Sequence, residues 1–327
     1  MISEKARLNP QLFEKDIEQA PTRDGFGHGV IEAGKADTNI VVLCADLSES
    51  TRANWFQKEF PERFIQMGIA EQNMAATAAG LAAVGKIPFI ASYAAFSPGR
   101  NYEQIRTTIA LNDVPVKIMG MHAGVSVGPD GATHQMLEDI GLMRMLPGMV
   151  VINPGDALEA QKAVIAAAKN NKPTYIRFGR SATPVFTTSE TPFEIGKVLV
   201  VWKSDKPKVT IISTGSLTYN ALLAVRALES EGISSTLIHL HTIKPLDEET
   251  ILHHTRITGK VITIEEHQVA GGMGSAVAEL LSQKAPAKIL RMGIHDTFGQ
   301  SGTPEELLEE YGLGVTHIID TARSLMV

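Results

Sequence analysis

Short apolar runs recur along this chain with helix-forming text between them: NIVVLCAD (39–46), IPFIASY (87–93), VPVKIMGMH (114–122), GMVVINP (148–154) and PTYIRFGR (173–180). DALEAQKAVIAAAKN (156–170) reads as a helix between the last pair. Strands that are apolar throughout must be covered on both faces, so the alternation predicts a mainly parallel, doubly wound α/β sheet.

Between Ser181 and Gly196 the text becomes SATPVFTTSETPFEIG, rich in Thr, Ser and Pro and without apolar period, as exposed connections usually are. The alternation then resumes with KVTIISTGS (208–216), a helix over 217–232, ISSTLIHLHT (233–242) read as one strand, KVITIEEH (260–267), a helix over 274–283 and AKILRMGI (287–294). Two doubly wound domains are expected, one over 1–185 and a smaller, mainly parallel one over 186–327. A length of 327 residues suits about two cores.

Composition narrows the function classes. With 44% hydrophobic and 20% charged residues the chain reads as soluble and globular, and a net charge of −6 offers no basic field for nucleic acid or anionic lipid. No stretch reaches the roughly 18 uninterrupted apolar residues of a membrane span. The one cysteine, Cys44, sits in an apolar run and has no disulfide partner within the chain, so a cytoplasmic location is expected.

The most anomalous residue is Glu71 in MGIAEQNM, the single charged side chain between Phe64 and Gly85. It falls where a strand-like segment gives way to a helix former. One reading is a first-turn acid favoured by the helix dipole. In the other, a carboxyl among apolar groups has its charged form disfavoured, so it can donate or share a proton with a bound ligand near neutral pH, which suits proton transfer to a ring nitrogen.

Tyr93 and Phe96, in ASYAAFSPGR, stand just past a strand's carboxyl end, the edge where open parallel sheets bind ligands, and there they either fill core or stack on a flat heterocycle. The loop MHAGVSVGPDGATHQ (121–135) holds three glycines beside His122, Asp130 and His134. It reads equally as a solvated loop or as one presenting imidazoles, which titrate nearest neutrality, to a substrate. Arg23, Arg177 and Arg180 are either surface ion pairs or phosphate clamps.

VAGGMGSAVAEL (269–280) lacks the third glycine of a dinucleotide turn and reads as a tight strand-to-helix connection. The histidines at 239, 241, 253 and 254 lack acidic or cysteine partners at ligand spacing, so no metal held by this chain is expected.

GIAEQNM, YAAF, GPDGATHQ, PTYIRFGR and HTIKPLD occur here in the order found in the transketolase family of thiamine-diphosphate enzymes, and nearly the whole chain resembles the carboxyl-terminal half of a full-length member. The resemblance implies a pyrimidine-binding domain followed by the family's carboxyl-terminal domain. It implies that Glu71 hydrogen-bonds the cofactor's pyrimidine, that Tyr93 and Phe96 pack on that ring and that Asp46 lies close to the cofactor. His122, Asp130 and His134 match positions that touch the sugar's hydroxyls or the reacting carbonyl; Arg23, Ser50 and Arg180 match those that hold its far-end phosphate. His122 also favours a transketolase over the related 1-deoxyxylulose-5-phosphate synthases, which tend to carry arginine there.

Two departures qualify the resemblance. SPGR after Phe96 lacks a third aromatic, and the family's G-D-G…N motif, which holds the diphosphate through a divalent metal such as Mg²⁺, has no counterpart. The expectation is therefore the B subunit of a split transketolase, joined to an amino-terminal A subunit in an α2β2 assembly and acting on phosphorylated sugars. The alternatives are a split deoxyxylulose-phosphate synthase-like enzyme, a transketolase for a sulfonated, deoxy or branched ketose, and a noncatalytic scaffolding subunit.

Overall fold

The apolar runs become strands because their side chains have nowhere wet to go. The computed structural model describes residues 1–326, and among them the strands in chain order are β1 (Gln19–Pro21), β2 (Ile40–Cys44), β3 (Phe64–Gln66), β4 (Ile87–Tyr93), β5 (Lys117–Met121), β6 (Val150–Ile152) and β7 (Thr174–Arg177). There follow β8 (Ala182–Pro184), β9 (Leu199–Lys203), β10 (Val209–Ser213), β11 (Ser235–His239), β12 (Thr242–Lys244), β13 (Lys260–Gln268) and β14 (Lys288–Ile294). Every residue of β2, β5, β7 and β10 is buried, so both faces of each sheet need helical cover.

The larger sheet runs β12-β6-β7-β5-β4-β2-β3 and is parallel except at β12, which pairs antiparallel with β6. A second sheet, β14-β13-β10-β11-β9, is parallel except at its β9 edge. β1 and β8 form a separate antiparallel ribbon. The doubly wound α/β architecture expected from the alternation is therefore present in both units.

The path between the units departs from the sequence reading. ISSTLIHLHT is not one strand: β11 ends at His239, and the chain crosses to set Thr242 opposite Ile152 in the other sheet. Leu240 and Ile243 flank this crossing and are buried in a core shared by both units, beside Met143, Met149, Ile238 and Met273. At the amino terminus, Ser3 N–H donates to the Val201 carbonyl, and Ala6 and Leu12 pack in one cluster with Leu199 and Trp202. Chain from each side of the 181–196 connection thus completes the core of the other.

One helix pair matters for the site. The helix Thr22–Ala36 lies against Ala157–Lys169 through Gly25 and Gly29. A Cβ on Gly25 would run into the Ala157 carbonyl oxygen and stand 2.7 Å from the Ala160 Cβ. Close approach of the two backbones fixes the first turn of Thr22–Ala36, which carries Arg23.

Candidate active site

Parallel strands end at one edge of their sheet, and β2, β4, β5 and β7 bring Asp46, Tyr93, His122 and Arg180 there from distant parts of the chain. Glu71 arrives at the same edge as the first residue of the helix Glu71–Ala83, which follows β3. Its Ala-rich text favours helix, and Gly68, at φ +68°, turns the chain into it.

Glu71 is buried, at 1% exposure. Arg100 Nη1 donates to Oε2 at 2.8 Å and Ser92 Oγ to Oε1 at 3.3 Å, while Asn101 Nδ2 donates to the Glu71 carbonyl at 3.0 Å. Within the chain itself, Arg100 supplies the charge that compensates for the buried carboxylate. The lone acid called for a cation, and Arg100 closes the SPGR segment, which drew attention only for the aromatic it lacks.

The Arg100 guanidinium also lies over the Phe96 ring, 4.8 Å from its centroid. Phe96 is nearly parallel to Tyr93, with centroids 6.0 Å apart at 16°. Tyr93 meets His122 at 4.1 Å, and His134 stands edge-on to both aromatics, at 6.0 Å from Tyr93 and 5.6 Å from Phe96. Neither aromatic is fully buried, so each keeps ring surface available.

His122, in left-handed backbone at φ +54°, is almost wholly buried, and its Nε2 lies 3.0 Å from Arg23 Nη1. Guanidinium only donates, so Nε2 is the acceptor and the neutral ring carries its proton on Nδ1. That Nδ1 is buried without a partner among the described residues. Burial, with the Arg23 and Arg180 charges beside it, pushes the imidazole down to about 3. His122 is therefore a neutral hydrogen-bond donor at physiological pH.

Arg23 Nη1 also donates to the Ser50 carbonyl at 2.9 Å, so the structure places Ser50 at this corner through its backbone. Arg180 pairs with Asp130 at 3.0 Å and donates to the Val127 carbonyl at 3.1 Å; both side chains of the pair reach solvent. His134 Nδ1 lies 2.9 Å from Thr133 Oγ1. Asp46 stands apart from these contacts: it is exposed, in left-handed backbone, with its N–H bonded to Gln66 Oε1 at 2.9 Å. Arg177, the other arginine of that strand, is interior, paired with Asp139 at 2.9 Å.

The second unit buttresses this edge, which sequence reasoning missed. Glu266 accepts the Ser126 N–H under the glycine-rich loop, and a Cβ on Gly124, at φ +93°, would collide with its carboxylate. His267 donates from Nδ1 to the Gln268 carbonyl and accepts the Gly141 N–H on Nε2 at 3.2 Å. Phe298, 76% exposed, joins Ala95, Gly99 and Met136 around a cavity of about 310 Å³ next to the aromatic pair. The glycine turn near 271 is occupied from within, since Glu265 accepts the Met273 and Gly274 N–H groups at 2.6 and 2.8 Å.

A buried carboxylate, a stacked aromatic pair and an orphaned imidazole N–H suit a flat, nitrogen-bearing heterocycle and an oxygen-rich substrate. Comparison with known proteins gives this edge its context. Residues 18–185 match the family description "Transketolase, pyrimidine binding domain", and residues 196–318 match "Transketolase, C-terminal domain". The chain is 46% identical over 294 residues to the putative transketolase C-terminal section of Methanocaldococcus jannaschii, spanning 89% of this chain and 92% of that protein. It is 36% identical over 315 residues to the 6-deoxy-6-sulfo-D-fructose transketolase subunit of a Clostridium species, spanning 96% and 97%. A solved structure named "Split gene transketolase, inactive beta4 tetramer" superposes with a TM-score of 0.86 at 45% identity, over 93% of this chain and 97% of that one.

Proposed function

Because the chain belongs to the transketolase family, we propose that it is the carboxyl-terminal subunit of a split, thiamine-diphosphate-dependent transketolase that transfers a two-carbon ketol unit from a ketose phosphate to an aldose phosphate. The observation that carries this reading is the buried Glu71 carboxylate beside Tyr93 and Phe96 at the carboxyl edge of the sheet.

The residues present fit the cofactor's pyrimidine. Among the described residues the Glu71 carboxylate is held by Arg100 and Ser92, and Tyr93 and Phe96 offer ring faces at the end of β4. When bound, thiamine diphosphate supplies the carbanion chemistry that breaks and forms the carbon–carbon bond. Glu71 holds a proton at a pyrimidine nitrogen, while Tyr93 and Phe96 orient the ring by stacking. Asp46 approaches from the end of β2.

His122 donates its orphaned Nδ1–H to a substrate oxygen, and His134, less buried and edge-on to the aromatics, handles protons at the reacting carbonyl. Asp130 binds a sugar hydroxyl. Arg23, Ser50 and Arg180 take the phosphate, for which forked guanidinium donors are suited.

The diphosphate and a divalent metal such as Mg²⁺ are assigned to a separate amino-terminal subunit, in an α2β2 assembly located in the cytoplasm. The solved relative named an inactive β4 tetramer supports the need for that partner, since self-assembly of such a chain carries the name inactive. Among the described residues no helix is long and apolar enough to cross a membrane. A sulfonated, deoxy or branched ketose is the second reading, favoured by the name of the Clostridium relative, which matches over 97% of its length.

The test is to combine the chain with candidate amino-terminal subunits, thiamine diphosphate and Mg²⁺, and to assay ketose donors against aldose acceptors. The mixture is expected to turn over and each chain alone to be silent. Consumption of pyruvate with glyceraldehyde phosphate in place of ketol transfer would replace this reading with the deoxyxylulose-phosphate synthase type, and no thiamine-diphosphate binding in any mixture would remove it.

A further inference from the structure

We propose that Arg100 is an internal surrogate for the cofactor ring: in the free chain its guanidinium occupies both surfaces that the pyrimidine needs, and it must vacate them when the ring docks. This inference rests on the functional reading above.

The geometry sets one side chain across two sites. Arg100 Nη1 is bonded to Glu71 Oε2 at 2.8 Å, and its guanidinium carbon lies 4.8 Å from the Phe96 centroid. A heterocycle that hydrogen-bonds Glu71 and stacks on Phe96 competes for both places at once. The guanidinium is flat, delocalised, cationic and edged with N–H donors, so it resembles a protonated aminopyrimidine in shape and in hydrogen bonding.

A permanent structural arginine would be enclosed and satisfied on several nitrogens, as Arg177 is, with bonds to Asp139, Met136 and Glu266 at 5% exposure. Arg100 differs. Its side chain is 46% exposed while Glu71 is 1% exposed, and its hydrogen bond to Glu71 is the one that its guanidinium makes among the described residues. The carboxylate is fixed by the fold, with Asn101 clamping its backbone at 3.0 Å, whereas the cation comes from a loop with open solvent behind it. The solvent-exposed partner is the one that leaves.

The arrangement shields a buried charge before the ring arrives, because an unpaired interior carboxylate is strongly destabilising. It also weakens cofactor binding by the free energy of breaking the pair, as any competing resting state does.

The experiment is calorimetric titration of thiamine diphosphate, with Mg²⁺, into the assembled complex carrying wild-type chain, Arg100→Ala or Arg100→Lys. Arg100→Ala is expected to bind about tenfold more tightly, the scale of one charge-assisted hydrogen bond. Arg100→Lys, which keeps the charge without the planar fork, falls between. Equal or weaker binding by Arg100→Ala, with the wild type binding normally, overturns the surrogate role and leaves the functional reading standing. Absence of binding by the wild-type complex overturns both.

A crystal structure of the wild-type complex with the cofactor decides the matter even if Arg100→Ala fails to assemble. Arg100 displaced from Glu71 with the ring in place supports the proposal, and Arg100 still bonded to Glu71 beside the ring overturns it.

Discussion

Arg23 Nη1 stands 3.0 Å from His122 Nε2, joining the first turn of one helix to the end of β5 across 99 residues of chain. The contact fixes a tautomer as well as a position, because a guanidinium donates hydrogen bonds and cannot accept them. Replacing Arg23 by Ala removes both the donor and a charge that holds His122 down. The His122 titration, followed by NMR, is expected to move up from about 3. In the assembled enzyme the same substitution raises KM for phosphorylated sugars by about tenfold or more, the cost of one charge-assisted contact, with a smaller change in kcat.

Glu71→Gln keeps the shape of the side chain and an oxygen for Arg100 or Ser92, so the fold is retained. It removes the proton that the carboxyl exchanges. Turnover of the reconstituted complex is expected to fall by at least about 10²-fold. Activity near wild type would take Glu71 out of the chemistry.

Two glycines should respond in opposite directions to the same change. Gly25→Ala drives a methyl group into the backbone of the helix Ala157–Lys169 and costs about 1–3 kcal/mol. Gly80→Ala meets nothing within 4 Å of the new Cβ, in the interior of the helix Glu71–Ala83, and stabilises the isolated chain by about 0.5–1 kcal/mol. Urea midpoints of the two variants test this contrast.

Burial, working against the Glu159 charge, pushes His241 down from 6.5 to about 4. As pH falls through 6.5 the unfolded chain takes up a proton that the folded chain refuses. The associated stability is therefore complete above 6.5 and is lost on acidification toward 4, at about 1.4 kcal/mol per pH unit. His241→Phe keeps a ring against Phe193, 4.4 Å away, and removes the proton site. Its stability is expected to fall less than that of the wild type between neutral pH and about pH 5, and equal losses would contradict the assignment.

Glu159, on the helix Ala157–Lys169, and His239, at the end of β11, are both buried and lie 2.6 Å apart across the two units. Burial alone would raise the Glu159 carboxyl, but the His239 imidazole overcomes it and holds the group at about 2. The stability from this low value is present above 4.5 and is lost as pH falls through 2. Replacing His239 by Leu strands the carboxylate and is expected to cost about 3–5 kcal/mol in denaturant titrations. Glu159→Gln with His239→Leu should recover part of that loss.

The sequence by itself determined the doubly wound architecture, because strand burial on both faces is written in consecutive apolar residues such as IVVLC in β2. It also isolated Glu71, since one acid in a long apolar stretch is a local fact. What answers that acid is not local: Arg100 lies 29 residues away and reaches Glu71 only once the helix after β3 and the loop after β4 converge. The Arg23 that sets the His122 tautomer, the departure of β12 to the other sheet and the Glu266 prop under Gly124 were likewise decided by the tertiary structure. Periodicity reports which faces of an element shun water, whereas hydrogen-bond and charge partners depend on which strand ends the sheet order sets side by side.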